Sequence, residues 1–321
     1  MEDSYERKID YLRVSVTDRC NLRCFYCMPE EGVEWKESSE ILRYEEMELI
    51  IQAAVNAGIR KVRITGGEPL VRKNVVSFIE YISKMPEIED ISMTTNGFYL
   101  ADKLPALKAA GLKRVNISLD TLNSTNFEKI TGRSGLDKVL AAIELALELG
   151  LYPVKVNMVL LKGINEDDAL RLASWTKEKD IDVRYIELMP LGGAGKEYFL
   201  PVQVIEERLN SLGKLIDCQE KGNGPALYKK FSGAAGKIGF ISPLSNHFCH
   251  RCNRMRLTAD GKLKPCLISP VEIDIKSALR QGASVEELTE IFKQAVRLKP
   301  ERHHLNEEIY QGKRKMSQIG G

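Results

Sequence analysis

Apolar residues in the first 190 positions fall into two alternating rhythms. Short runs rich in β-branched residues at 11–17, 61–65, 91–95, 114–119, 154–159 and 182–186 read as strands. Between them apolar residues recur at helical spacing, as in Met47, Ile50, Ile51, Ala54 and Val55, or Leu136, Val139, Leu140, Ile143 and Leu147. Six such βα units predict a parallel sheet covered by helices. Six are too few to close an eight-stranded barrel. The fold class expected is therefore α/β, a partial, open βα barrel with its functional groups on loops at the C-terminal ends of the strands.

After Pro190 the rhythm changes. Gly192, Gly193 and Gly195 read as a linker, and Glu197 after Lys196 breaks the spacing of a phosphate-binding P-loop. A helix over 202–212 follows, then three short strand-like runs ending at Ile241, then a helix opened by Ser284 with Glu287 as its capping-box partner. The final stretch, 312–321, has neither helical nor strand periodicity. The chain thus divides into a barrel domain, 1–190, and a smaller C-terminal α+β region, 191–321, that closes off the open barrel.

With 321 residues and 43% hydrophobic content the chain can build a sizeable core. A formal net charge of +2 gives no global argument for nucleic acid or a membrane surface, so any preference for anions has to be local. No apolar run approaches the roughly 20 residues that span a bilayer. The first residues are acidic and lack the apolar core of a secretory signal. A cytoplasmic protein is expected.

Candidate chemistry begins with Cys20, Cys24 and Cys27, spaced C-x3-C-x2-C in a loop just after the first strand. Three thiolates can hold one face of a four-iron cluster and leave one iron open to a small molecule. Structural zinc needs a fourth ligand, and none lies near in sequence. A disulfide framework fits poorly with an odd seven cysteines. Directly after the second strand come Gly66, Gly67, Glu68 and Pro69. Paired glycines allow close backbone approach to a ligand, and Glu68 can accept the bonds of an ammonium group; a plain tight turn has the same composition.

A second group, Cys249, Cys252 and Cys266, reads either as another cluster or as a zinc site completed by His247 or His250. Arg254 and Arg256 follow at alternate positions, which puts both guanidiniums on one side of a strand and favours an anionic ligand beside the metal. Arg13, Arg63, Lys155 and Arg184 sit within predicted strands, and alternation groups Lys61, Arg63 and Thr65 on one face. Several buried cations converging inside a barrel call for a polyanion, since each would otherwise cost several kcal/mol. A triphosphate suits them. Cys218 belongs to neither group and reads as a buried, inert thiol.

The first cysteine triplet, with Tyr26 before its last member and the Gly66–Pro69 turn, resembles the signature of the radical S-adenosylmethionine (SAM) superfamily. With the second cysteine group in view, nearly the whole chain is similar to the GTP 3′,8-cyclase family, which opens molybdenum cofactor biosynthesis. That resemblance implies two [4Fe-4S] clusters, one on Cys20, Cys24 and Cys27 and one on Cys249, Cys252 and Cys266. It implies SAM held by Tyr26, Gly66, Gly67, Glu68, Ser118 and Met189, with the cluster cleaving it to a 5′-deoxyadenosyl radical. GTP then meets Arg13, Arg63, Thr94, Lys155, Arg184, Arg254 and Arg256, its guanine on the open iron of the second cluster. Gly320 and Gly321 thread into the active site, and Arg254 and Arg256 act there. The product implied is 3′,8-cyclo-7,8-dihydro-GTP, the substrate of cyclic pyranopterin monophosphate synthase. Electrons come from a donor such as flavodoxin or ferredoxin. Two other readings of the residues stay open: a radical SAM peptide-modifying enzyme with an auxiliary cluster, and a non-enzymatic metal-binding scaffold.

Overall fold

A computed structural model describes residues 1–29, 31–191, 194–218, 224–303 and 314–320. The six predicted strands form within a residue or two of their expected bounds: β1 (Tyr11–Ser15), β2 (Lys61–Thr65), β3 (Asp90–Thr95), β4 (Arg114–Ser118), β5 (Val154–Leu160) and β6 (Ile181–Glu187). They pair in chain order, all parallel. Helices α1 (Tyr44–Asn56), α2 (Val75–Ser83), α3 (Leu100–Ala109), α4 (Ser124–Thr131), α5 (Leu136–Glu148) and α6 (Glu166–Glu178) occupy the connections. Strand alternation explains the layering. Leu12, Val14, Val62, Ile64, Ile91, Met93, Val115, Ile117, Val154 and Val156 face the helices and are buried with Met47, Ile50, Ile51, Val139 and Ile143. Each such aliphatic side chain contributes on the order of 1.5–3 kcal/mol. The opposite face of the same strands is polar and lines the barrel.

The C-terminal part consists of α7 (Val202–Leu209), β7 (Leu215–Asp217), β8 (Leu227–Phe231), β9 (Lys237–Ile241), β10 (Arg254–Leu257), β11 (Lys262–Lys264), β12 (Ile273–Asp274), α8 (Ile275–Arg280), α9 (Val285–Arg297) and α10 (Met316–Ile319). Its strands join the barrel sheet at both edges, in the order β12-β11-β10-β1-β2-β3-β4-β5-β6-β9-β8-β7. β9 runs parallel to β6 and β10 parallel to β1, while β8, β7, β11 and β12 turn back antiparallel. The parallel run is therefore two strands longer than the six read from the periodicity. Among the described residues β7 and β12 do not pair, so the barrel stays open.

The capping box at Ser284 forms as expected: its hydroxyl accepts from the Glu287 amide at 3.2 Å, and its own amide donates to the Glu287 carboxylate at 2.8 Å. The helix expected over 202–212 ends at Leu209 and tightens into a 3-10 turn, Asn210–Leu212. Of the glycine linker, residues 192 and 193 lie outside the described residues. The tail differs from its reading, because 316–319 close one helical turn that the local sequence does not announce; contacts with the barrel mouth hold it.

Candidate active site

The loop after β1 carries Cys20, Cys24 and Cys27 over the C-terminal mouth of the barrel, where all three line one cavity. The turn after β2 is stitched to this loop: the Gly67 amide donates to Thr17 O and the Glu68 amide to Arg19 O, both at 2.8 Å. A Cβ on Gly66 would lie 2.7 Å from Thr17 O, and one on Gly67 would strike Arg19. The glycines thus serve the approach of chain to chain, the local reason for this pair. Glu68 is buried. Its carboxylate accepts from Leu70 N at 3.0 Å, Thr95 Oγ1 at 2.8 Å and Asn96 N at 2.7 Å. Burial outweighs these bonds and pushes it up to about 7. It fixes the end of β3, which presents Asn96 with its amide 3.9 Å from Cys20 Sγ.

Burial also governs the first thiols. Cys20 is pushed up to about 11 and Cys27 to about 12, and Cys24 is raised well above the ordinary range, with the neighbouring thiols and Asp120 or Glu68 adding to the shift. Thiols in such surroundings become thiolates only when a metal supplies positive charge, so the donor set fits an iron-sulfur cluster. Tyr26 donates its phenol to Asp120 at 2.6 Å, and Asp120, raised by burial to about 6, also accepts from Val159 N at 2.8 Å. Ser118 and Met189 line the same cavity.

The second group lies at the opposite end of the sheet. β10 runs parallel to β1 with Arg254 beside Tyr11, so Cys249 and Cys252, which precede β10, sit at the N-terminal end of the strands. Cys266 follows the antiparallel β11, and the pairing of Arg256 with Lys264 brings it across from Arg254. This corrects the expectation that the functional groups gather on the C-terminal loops. Here burial raises the Cys252 thiol, but Arg254 and Lys299 outweigh it and bring it down to about 6. Cys252 is thus poised as a thiolate at neutral pH, which fits a metal ligand. His250 is exposed. His247 Nδ1 lies 3.1 Å from His303 Nε2, and these rings and Cys249 Sγ bring ligand atoms within 4.8 Å of one another.

Between the two groups the strands set a wall of cations. Register places Arg256, Arg13 and Arg63 side by side on β10, β1 and β2, then Thr94, Asn116 and Lys155 on β3, β4 and β5, with Asn157 beside Arg184. The cavity measures about 670 Å³ and is lined by all seven predicted contact residues, Arg13, Arg63, Thr94, Lys155, Arg184, Arg254 and Arg256. Arg63 donates to Ser92 Oγ at 3.1 Å and lies over the Tyr11 ring, and Arg184 donates to Asn157 at 2.8 Å. With its amide oxygen turned to both guanidiniums, Asn116 accepts from Arg184 at 3.0 Å and from Arg63. Lys155 meets Tyr228 OH at 3.1 Å and Asp182 at 3.5 Å. Arg63, Arg184, Arg254 and Arg256 have no carboxylate partner among the described residues. Burial, with like-charged neighbours, lowers Arg13 and Arg63 to about 9 and Arg256 to about 10. All remain charged at neutral pH, and Thr94 Oγ1 and Tyr11 OH are buried there without hydrogen-bond partners among the described residues. The wall is complementary to a polyanion with hydrogen-bonding groups.

The tail reaches this wall. Gly320 O accepts from Arg256 at 2.6 Å, and the Ser317 amide approaches the Cys27 sulfur. Gly320 is buried at φ +81°, and a Cβ there would lie 2.9 Å from Thr65 Cγ2 and 3.1 Å from Ser15 Cβ. Gly321 lies outside the described residues. Cys218 is half-buried rather than buried, beside Ala226, Tyr228 and Ile241. Sequence reasoning missed Asn116, Asp120, Asn96, Lys299 and His303. Asn116 carried a signal, a polar residue between apolar ones in a strand next to the one that holds Lys155; the others become legible only once distant segments meet.

The Radical SAM superfamily model matches residues 14–176, and the Molybdenum Cofactor Synthesis C model matches 181–305. Barrel and first cysteine loop together define the class as radical SAM. Solved structures of Streptococcus suis SuiB share the fold: bound to S-adenosylmethionine, TM-score 0.59, 15% identity, 83% of this chain and 63% of that one; bound to precursor peptide SuiA, TM-score 0.60, 15% identity, 91% and 67%. Within that class, relatives named GTP 3′,8-cyclase are 48% identical in Pelotomaculum thermopropionicum, 50% in Thermodesulfovibrio yellowstonii and 48% in Moorella thermoacetica, each over 100% of both chains. The chain belongs to the GTP 3′,8-cyclase family. No helix among the described residues is long and apolar enough to cross a membrane.

Proposed function

We propose that this protein is the GTP 3′,8-cyclase that opens molybdenum cofactor biosynthesis. The observation that carries the reading is the belt of buried cations between two cysteine groups in one cavity. When bound, the cluster on Cys20, Cys24 and Cys27 supplies, with SAM and an electron, the 5′-deoxyadenosyl radical that takes the ribose 3′ hydrogen and lets that carbon join guanine C8. The chain's own residues bind, orient and shield. Tyr26, Gly66, Gly67, Glu68, Ser118 and Met189 form the SAM side, with Glu68 also bracing the end of β3. Arg13, Arg63, Thr94, Lys155 and Arg184 take the triphosphate and ribose. Arg254 and Arg256 hold the nucleotide against a second [4Fe-4S] cluster on Cys249, Cys252 and Cys266. Gly320 brings backbone into a space too narrow for a side chain, and Gly321 acts with it at the end of the tail. Residues 1–190 generate the radical and supply the cations for the triphosphate, and 191–321 carry the second cysteine group and the tail. The protein acts in the cytoplasm, takes electrons from a flavodoxin or ferredoxin, and passes its product to cyclic pyranopterin monophosphate synthase.

One observation favours a different occupant for the second site. His247, Cys249 and His303 bring three ligand atoms of the kinds zinc takes within 4.8 Å of one another. Anaerobic metal analysis separates the two: about eight irons per chain are expected from two cubes, whereas about four irons with one zinc assign that site to zinc. The function itself is tested by incubating reduced protein with SAM and GTP and weighing the nucleotide formed. Unchanged GTP alongside released 5′-deoxyadenosine would point instead to another substrate, such as a peptide.

A further inference from the structure

Lys299 follows α9 and is 3% exposed, with its ammonium inserted between the two arms of the second cysteine group. It donates to Arg254 O at 2.8 Å, two residues past Cys252, and to Pro265 O at 2.6 Å, the residue before Cys266. The β10–β11 ladder has already ended there. Its pairs are Arg256 with Lys264 and Leu257 with Leu263, and Pro265 has no N–H with which to extend it. Lys299 therefore ties the two strands where backbone pairing stops, beside the cysteines. No carboxylate among the described residues pairs with it. The charges it does face are the sulfurs of Cys252 and Cys266, and Arg254 and Arg7 add to the positive field. A buried ammonium without a carboxylate is tolerated only where another anion compensates it.

We propose that Lys299 is a positioning residue for the second metal centre: it sets the separation of the Cys252 and Cys266 arms, and its charge raises the reduction potential of the cluster they hold. The inference rests on the reading that this site holds a [4Fe-4S] cluster. Three thiolates on a cube give an anion whose charge grows on reduction, so a fixed cation beside it favours the reduced form. A lysine that only satisfied two carbonyls would be replaceable by any donor of similar length.

The test is a potentiometric titration of the second cluster, followed by electron spin resonance, in the full chain with Cys20, Cys24 and Cys27 changed to Ser. The parent of this series should hold about four irons; a chain that binds none removes the cluster reading itself. Lys299→Arg keeps charge and donors and is expected to titrate with the parent. Lys299→Gln keeps a donor without charge and is expected to titrate at a more negative potential. If it fails to hold iron while Lys299→Arg holds it, the charge is needed to retain the cluster, which also supports the inference. Lys299→Gln with full iron and the parent's potential overturns it.

Discussion

Arg256 has two duties at one atom group, a place in the cation wall and the bond to Gly320 O. Charge-assisted hydrogen bonds are worth roughly 1.5–3 kcal/mol. Arg256→Ala is therefore expected to weaken GTP binding on the order of tenfold to a hundredfold, with iron content unchanged, in anaerobic equilibrium dialysis. An unaltered affinity would remove Arg256 from the substrate site. Gly320 poses a steric question. At φ +81° with Thr65 and Ser15 against it, alanine must both strain the backbone and push the tail out. Gly320→Ala is expected to cut product formation at least tenfold while leaving the iron count alone, as the near-attack geometry is lost, and deletion of Gly320 and Gly321 to abolish it. Mass analysis of the nucleotide decides, and full turnover by either variant would make the tail a bystander.

Among elements, the strands were the legible part. β-branched runs with one polar and one apolar face announce a half-buried strand locally, and β2 shows why: Lys61, Arg63 and Thr65 line the cavity while Val62 and Ile64 join the core. What the sequence withheld depends on partners far along the chain. Nothing near residue 254 says that β10 will lie beside β1, so the place of the second cysteine group at the N-terminal end of the strands is legible only in the fold. The turn α10 is another such case. It is anchored by Arg314, which bonds Asp260 at 3.1 and 2.9 Å and Glu272 at 2.7 and 2.8 Å. Asp260 lies on the β10–β11 turn, so this pair of carboxylates fixes where the tail enters. Arg314→Ala should leave the clusters intact but expose the tail to carboxypeptidase, with product yield falling as residues are trimmed. Equal trimming of parent and variant would deny the anchor.

At the scale of the whole molecule, the two cysteine groups at opposite ends of one cavity separate radical generation from substrate placement. Changing Cys249, Cys252 and Cys266 together to Ser removes the far site without touching Cys20, Cys24, Cys27 or the Gly66–Pro69 turn. That variant is expected to release some 5′-deoxyadenosine when reduced with SAM, uncoupled from any change in GTP. A misplacement of about 1 Å can cost on the order of a hundredfold in rate. Deoxyadenosine and cyclised nucleotide are measured side by side. Cyclisation near the parent rate would mean that the second site does not anchor the substrate.

The open seam has a consequence for how the cavity is filled. A closed barrel has a girth fixed by strand number and shear. This one has free edges at β7 and β12 among the described residues, and the segment 242–253 runs from β9 on one side of the sheet to β10 on the other. That segment also carries Cys249 and Cys252. The distance between β9 and β10 is therefore spanned by the same peptide that carries those sulfurs, so the width of the cavity and the placement of its far thiols share one stretch of chain.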